Sequence, residues 1–327
     1  MKLLVTAQAL DRDDPVCGFL DRWISRIALR VRDVVVIAGK VGRRSNGLEV
    51  VSLGKESGAG RPARLTTFFR EALSKRQVDA VLVLQIPETA VALGPIFKAR
   101  GIPIYLWYAH RSCPAALRAA LPFVRRVFTS HESAMRLPTP KRTVIGQGID
   151  TEFFQPGPGS HEEILCVGRI SRIKDPATLL KASRLLKRPT RIRFIGAPLT
   201  DADRRYARDT GVEGEGFVPP DRMPELYGSA AATVNLAPTG APDKAALEAM
   251  ACGIPTLACN ESIPLPPELR FRRGDAASLA QALDPVLAMP PKAREALGHP
   301  LRAAVEAGHS LRGFVDSIVG HIEDDRG

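Results

Sequence analysis

Two stretches of this chain bring cations and a carboxylate into a pattern that suits an anionic ligand. The first is Val167-Gly168-Arg169-Ile170-Ser171-Arg172-Ile173-Lys174-Asp175, and the second is Leu247-Glu248-Ala249-Met250-Ala251-Cys252-Gly253-Ile254-Pro255. Arginine and lysine just beyond a strand end can grip a diphosphate, and a carboxylate is the usual acceptor for the two hydroxyls of a ribose. A nucleotide sugar carries both groups. The segment before Glu248, Gly240-Ala241-Pro242-Asp243-Lys244, adds a helix start whose free N–H groups form an anion site. There Asp243 serves either as a carboxylate toward the ligand or as a helix N-cap, and Lys244 as an extra phosphate contact. In the first half, His110 stands in Tyr108-Ala109-His110-Arg111 after a strand, at the end where α/β sheets hold ligands. Its imidazole suits a sugar hydroxyl or a purely structural place, and Arg111 suits an anionic acceptor.

The elements that position these residues follow from hydrophobic periodicity. Apolar bursts at 2–7, 34–38, 78–84, 102–107 and 126–129 read as buried strands. Phe19, Trp23, Ile24, Ile27 and Val31 share one face of a helix. The second half repeats the scheme, with strands at 163–167, 191–195, 232–235 and 256–258 and helices at 176–186, 223–229 and 244–252. Strands separated by helices imply parallel sheets with crossovers, hence an α/β chain of two doubly wound halves. Between them, residues 145–159 are rich in glycine and proline and mark the boundary. The 52–62 stretch, with its Gly, Ser, Lys and Arg residues, reads as a basic loop.

Composition narrows the function. At 327 residues the chain exceeds the size at which one core keeps growing. Its five cysteines are odd in number and form no C-x-x-C pair, which argues against a disulfide framework and a zinc site and fits a reducing, cytoplasmic compartment. The start is too short and too polar for a signal peptide, and no apolar run reaches membrane-spanning length. Residues 1–150 hold 24 Lys and Arg against 12 Asp and Glu, whereas residues 151–327 hold 22 against 23. All the excess positive charge lies in the first half. It suits an anionic membrane surface, a phosphate-bearing lipid acceptor or nucleic acid, or is simply a solvated arginine-rich surface. With no aromatic-basic motif or reader fold, nucleic acid is set aside as a partner.

Over nearly its whole length the chain resembles the retaining GT-B glycosyltransferases of family 4. The resemblance rests on Gly148-Ile149-Asp150 with Phe154 and Pro156, Gly168-Arg169 with Lys174, Gly196, Gly216-Phe217-Val218, and Glu248-Ala249-Met250-Ala251-Cys252-Gly253 with Pro255. It implies two Rossmann-like domains facing each other across a cleft: residues 1–146, joined by a C-terminal helix at about 311–327, for the acceptor, and 147–310 for the nucleotide-sugar donor. By resemblance Arg169 and Lys174 contact the donor diphosphate and stabilise the leaving nucleotide, in place of a metal. Glu248 holds the ribose, His110 lies by the transferred sugar, and the turn at Gly18 lets backbone approach the donor phosphate. Asp11-x-Asp13 looks like the metal-binding motif of a different glycosyltransferase fold but lacks its setting. The family's partners are a nucleotide sugar and a saccharide or lipid-linked acceptor, with peripheral membrane attachment at the inner face.

One departure stands out. The family pairs the glutamate matched by Glu248 with another eight positions earlier, and Gly240 stands there. The lost carboxylate would bind hydroxyls of the donor sugar. Gly240 leaves open a nucleotide-sugar-binding protein without transfer, and a sugar-nucleotide epimerase, which shares the ligand and a similar two-domain shape, also stays open beside a transferase.

Overall fold

The computed structural model describes residues 1–75, 77–157 and 162–326, so Pro158 and Gly159 of the boundary segment lie outside the described residues. The chain divides into two compact units, Met1–Gly148 with Leu311–Gly327, and Ile149–Ser310.

The first unit runs β1 (Lys2–Leu10), α1 (Phe19–Ala28), β2 (Asp33–Val41), β3 (Glu49–Ser52), α2 (Arg61–Ser74), β4 (Ala80–Leu84), α3 (Pro87–Ala99), β5 (Ile104–Trp107), α4 (Ala115–Ala120), β6 (Val124–Thr129) and β7 (Arg142–Val144). Its sheet has the order β3-β2-β1-β4-β5-β6-β7, with every pair parallel. Helices cover both faces, so the central strands are buried throughout and read as unbroken apolar runs. The edge strands β3 and β7 carry half-exposed polar residues and lack that signature. Helix α1 stops at Ala28, leaving Val31 outside it: Arg30 and Arg32 turn back onto Ile27 and Met1 carbonyls and feed directly into β2. The 52–62 stretch is not one loop, since β3 reaches Ser52 and α2 begins at Arg61.

The second unit runs β8 (Glu163–Val167), α5 (Pro176–Ser183), β9 (Ile192–Ile195), α6 (Asp201–Thr210), α7 (Met223–Gly228), β10 (Ala230–Asn235), α8 (Lys244–Ala251), β11 (Thr256–Ala258), α9 (Ala276–Ala288) and α10 (Pro291–His309). Its four parallel strands lie in the order β11-β10-β8-β9. The chain enters and leaves this unit side by side, because the Ile149 N–H donates to the His309 carbonyl at 2.7 Å. The Arg302 guanidinium fastens the entering segment through the carbonyls of Thr151 (3.1 Å) and Phe154 (2.9 Å). Helix α10 passes so close to the end of α8 that a Cβ on Gly298 would stand 1.7 Å from the Gly253 carbonyl oxygen.

The last helix, α11 (Leu311–Asp324), belongs to the first unit. Phe314 sits against Trp23 with ring centroids 4.2 Å apart and against Trp107 at 5.0 Å, all three buried. Beyond α11, the Asp325 carboxylate accepts two hydrogen bonds from Arg126 at 2.7 Å and one from the Tyr105 hydroxyl at 3.2 Å. Aromatic packing and a bidentate ion pair thus hold the chain end on the sheet that the first residues began.

Candidate functional site

The site is built from the carboxyl ends of β8 and β10 in the second unit. Strand β8 ends at Val167 and the chain turns at Gly168, whose φ of +143° only glycine adopts without strain. Three glycine backbones then stack. A Cβ on Gly196 would lie 2.1 Å from the Gly168 carbonyl oxygen, and one on Gly214 would lie 2.2 Å from that of Gly196. The Gly168 N–H donates to Ile195 at 2.9 Å, and the Ile170 N–H to Ala197 at 3.2 Å. The loop that carries Arg169 is thereby pinned onto its neighbour.

Lys174 is aimed by the residue after it. Asp175 adopts the left-handed conformation (φ 47°, ψ 45°) immediately before Pro176, the first residue of α5. A non-glycine residue there stores backbone strain, and such strain persists only where its surroundings enforce it. The enforcing contacts are the Thr178 hydroxyl, donating to the Asp175 carboxylate at 2.7 Å, and the Tyr206 hydroxyl at 3.4 Å.

Arg169, Lys174, Gly168 and Asn235 line one small crevice. An adjoining one shares Val167, Val234 and Asn235 and adds Tyr227 and Ala245. Both cations face carboxylates: Arg169 Nε stands 3.8 Å from Asp203, and Lys174 Nζ is ion-paired with Asp243. Asp203 is itself fixed by a capping box with Thr200 at the start of α6. Asp243 is the N-cap of α8, its side chain accepting from the Ala245 N–H at 3.3 Å. Of the two readings of Asp243, the N-cap is the one seen here. Asp243 is a cap and the counter-ion of Lys174, because a carboxylate at a helix start satisfies orphan N–H groups and a neighbouring ammonium together.

Burial works against the Asp243 charge, but Lys174, the Asn235 side chain and the Ala245 N–H together hold its carboxyl below the usual carboxylate range. A depressed carboxyl contributes stability that is complete above its unfolded value and is lost as pH falls through the folded value. Asp243→Asn should therefore lower the melting temperature near neutral pH. That difference should shrink below about pH 4; a gap between variant and wild type that is constant with pH would show that the ion pair does not carry it.

Along α8, Lys244 and Glu248 lie one turn apart. Burial pushes the Lys244 ammonium down, and the carboxylates of Glu248 and Asp243 pull against that shift. Glu248 accepts a hydrogen bond from the Tyr227 hydroxyl at 3.2 Å, and the fully buried Tyr227 ring fixes that donor. Gly240 is buried in the loop between β10 and α8. Asn235, Tyr227 and Asp203 were not singled out from sequence. Asn235 carried the clearest signal, as the polar terminus of the buried strand Ala230–Asn235.

In the first unit, His110 and Arg111 are exposed on the loop after β5. The Ser112 N–H donates to His110 Nδ1 at 3.1 Å, which leaves the proton of a neutral ring on Nε2. Gly18 stands at the start of α1. It is buried, a Cβ there would lie 2.6 Å from the Arg12 carbonyl oxygen, and its N–H donates to Asp14 at 3.0 Å. Close packing requires this glycine, and its N–H is already engaged within the turn. Asp11 pairs with Lys40 at 2.8 Å and Asp13 with Arg43 at 2.6 Å. Among the described residues no cluster of three metal-ligating side chains occurs.

Two parallel α/β units, the second with a cation-bearing loop at the carboxyl edge of its sheet, give the chain the GT-B fold. Residues 161–289 match the model described as glycosyl transferases group 1. Among solved structures it is similar to HepE of Anabaena in complex with UDP and glucose, at 14% identity and a TM-score of 0.78 over 99% of this chain and 100% of that one. HepE in complex with UDP-glucose gives 14% and 0.76 over 99% and 100%. Sucrose-phosphate synthase of Thermosynechococcus elongatus gives 16% and 0.74 over 99% of both chains. At such identities the likeness is one of fold. Among curated protein sequences nothing matches significantly.

Proposed function

We propose that this protein transfers a sugar from a nucleotide-diphosphate sugar to a saccharide or lipid-linked acceptor, with retention of anomeric configuration, in the manner of family 4. The observation that carries the reading is the convergence of Arg169 and Lys174 on one crevice at the carboxyl ends of β8 and β10, beside the start of α8. A diphosphate entering there exchanges the carboxylate partners of both cations for its own oxygens. The two cations then neutralise the charge that grows as the nucleotide diphosphate departs, so no metal ion is required. Glu248, steadied by Tyr227, accepts from the ribose hydroxyls. The acceptor hydroxyl attacks from the face the leaving group vacates, and a diphosphate oxygen takes its proton. The protein's contribution is positioning and charge stabilisation, with no carboxylate nucleophile. His110, through Nε2, and Arg111 serve the sugar and acceptor side.

HepE has been seen with UDP-glucose, which makes uridine-diphosphate sugars the first donors to test. The basic first half supports an acceptor on an anionic membrane surface at the cytoplasmic face, as in synthesis of cell-surface polysaccharide or glycolipid. Gly240 supports a second reading, binding of a nucleotide sugar without transfer. Thermal-shift titration with a panel of nucleotide-diphosphate sugars tests the first step: one donor at about 100 times its Kd should stabilise by about 2.7 kcal/mol. A flat response to every donor sinks both readings. Binding without transfer to any acceptor favours the second.

A further inference from the structure

Two buried tyrosines of the second unit direct their hydroxyls onto carboxylates at the candidate site. Tyr206 donates to Asp175 at 3.4 Å and accepts from the Ala177 N–H at 3.3 Å, so it braces the turn that follows Lys174. Tyr227 donates to Glu248 Oε2 at 3.2 Å. In the proposed donor site the first tyrosine serves the diphosphate and the second serves the ribose.

The Tyr227 hydroxyl is held more rigidly than the carboxylate it meets. Its ring is fully buried and lies edge-on to Phe154 with centroids 6.1 Å apart, and the Phe154 carbonyl is in turn held by Arg302 at 2.9 Å. Glu248 is only half-buried, and a glutamate side chain has much rotamer freedom to lose. Burial, and then the Glu248 charge, push the phenol well above its ordinary range, so it remains a donor in any assay near neutral pH. Lys244 stands one turn before Glu248 and Cys252 one turn after it. Burial, with the Glu248 charge, pushes the Cys252 thiol up to about 12 and keeps it neutral. Lys244 supplies charge on a flexible stem, whereas the fixed phenol sets which way Oε2 faces. A ribose presents two neighbouring hydroxyls, and a carboxylate held in one orientation accepts both without first being ordered. A site built to hydrogen-bond a hydroxyl strongly rejects the analogue that lacks it.

We infer that Tyr227 is a positioning residue that presets Glu248 for the paired hydroxyls of a ribose, so that this protein takes ribonucleoside-diphosphate sugars and discriminates against their 2′-deoxyribonucleoside counterparts. The inference rests on the reading of Glu248 as the ribose acceptor.

Isothermal titration of the whole protein with UDP, GDP, ADP and CDP, each beside its 2′-deoxy counterpart, tests it, and the tightest ribonucleotide carries the comparison. Wild type should prefer that ribonucleotide over its deoxy counterpart by at least about tenfold. Tyr227→Phe keeps the ring and its packing, so the variant should fold. It should bind the ribonucleotide about three- to tenfold more weakly and the deoxynucleotide almost unchanged, which shrinks the preference by that factor. Tyr206→Phe is the contrast, since a diphosphate is common to both ligands and both should weaken alike. Glu248→Asp draws the carboxylate back from the Tyr227 hydroxyl while keeping its charge, and should also lose the preference. Tyr227→Phe/Glu248→Asp should then be no worse than Glu248→Asp alone, as expected of a residue that acts through another. Equal weakening of both nucleotides by Tyr227→Phe would reduce the phenol to a structural role and overturn the inference, as would additive losses in the double variant or the same loss of preference in Tyr206→Phe. Ribose preference untouched by Tyr227→Phe overturns this inference alone. Wild-type binding without any ribose preference overturns it together with the role of Glu248 and leaves the diphosphate site standing, whereas no binding by any nucleotide overturns the donor reading itself.

Discussion

Lys174→Ala is expected to lower turnover of sugar transfer by about 10²–10³-fold, the loss seen when one preorganised donor to a developing oxyanion is removed. The ion pair with Asp243 complicates the readout, because the single variant also leaves that carboxylate partly buried without its ion-pair partner, beside Asn235, the Ala245 N–H and Lys244. Breaking one side of such a pair destabilises more than removing both. Lys174→Ala/Asp243→Asn separates the two effects: it should regain most of the lost melting temperature and none of the lost turnover. Arg169→Ala needs no such control, since its ion pair with Asp203 is long and its side chain is 40% exposed. It should therefore lose turnover with little change in stability. Steady-state kinetics beside calorimetry on the three variants decides the matter. Recovery of turnover in the double variant would mean that Lys174 only holds Asp243, and wild-type turnover in Arg169→Ala would remove the leaving-group role.

What could be read from the sequence divides along physical lines. Buried parallel strands announce themselves because both faces are covered, as in Ala80–Leu84 and Ile104–Trp107, and those positions were legible within a residue or two. Glu49–Ser52 and Arg142–Val144 pair on one side only, carry polar residues and were not legible. Helix α2 was hidden for a related reason: its first turn holds Arg61 and Arg64, cations where a helix start favours acids, so the segment looked like a basic loop. In the site, Arg169, Lys174 and Glu248 were marked by residue type and local spacing. Their partners were not, since Lys174 meets Asp243 across 69 residues and Arg169 meets a residue whose visible role is to cap α6. A cap and a counter-ion look alike in sequence, and only the fold showed that Asp243 is both. The packing role of Gly18 was not legible either, since only the fold brings the Arg12 and Asp14 carbonyl oxygens up to it.

The glycine stack beneath the cation loop yields the largest expected change in stability. Alanine at Gly196 must accept a φ of +140° and place its Cβ 2.1 Å from the Gly168 carbonyl oxygen, a backbone atom held by the sheet. The strain costs roughly 1–3 kcal/mol, and forcing the neighbouring backbone aside costs roughly as much again. For a unit of this size the sum lowers the melting temperature by on the order of 10 °C. Gly211→Ala is the control, because Gly211 also has a positive φ (+67°) but open space where its Cβ would go, so it should lose only the strain. The probe matters. Trp23 and Trp107, the two tryptophans of the chain, both belong to the first unit, so tryptophan fluorescence would miss a loosened second unit. Calorimetry or far-ultraviolet circular dichroism reads both units. If Gly196→Ala melts no lower than Gly211→Ala, the loop carrying Arg169 is not braced by close backbone contact. If it melts lower and also binds nucleotide sugar more weakly, the stack both supports the second sheet and aims the cations above it.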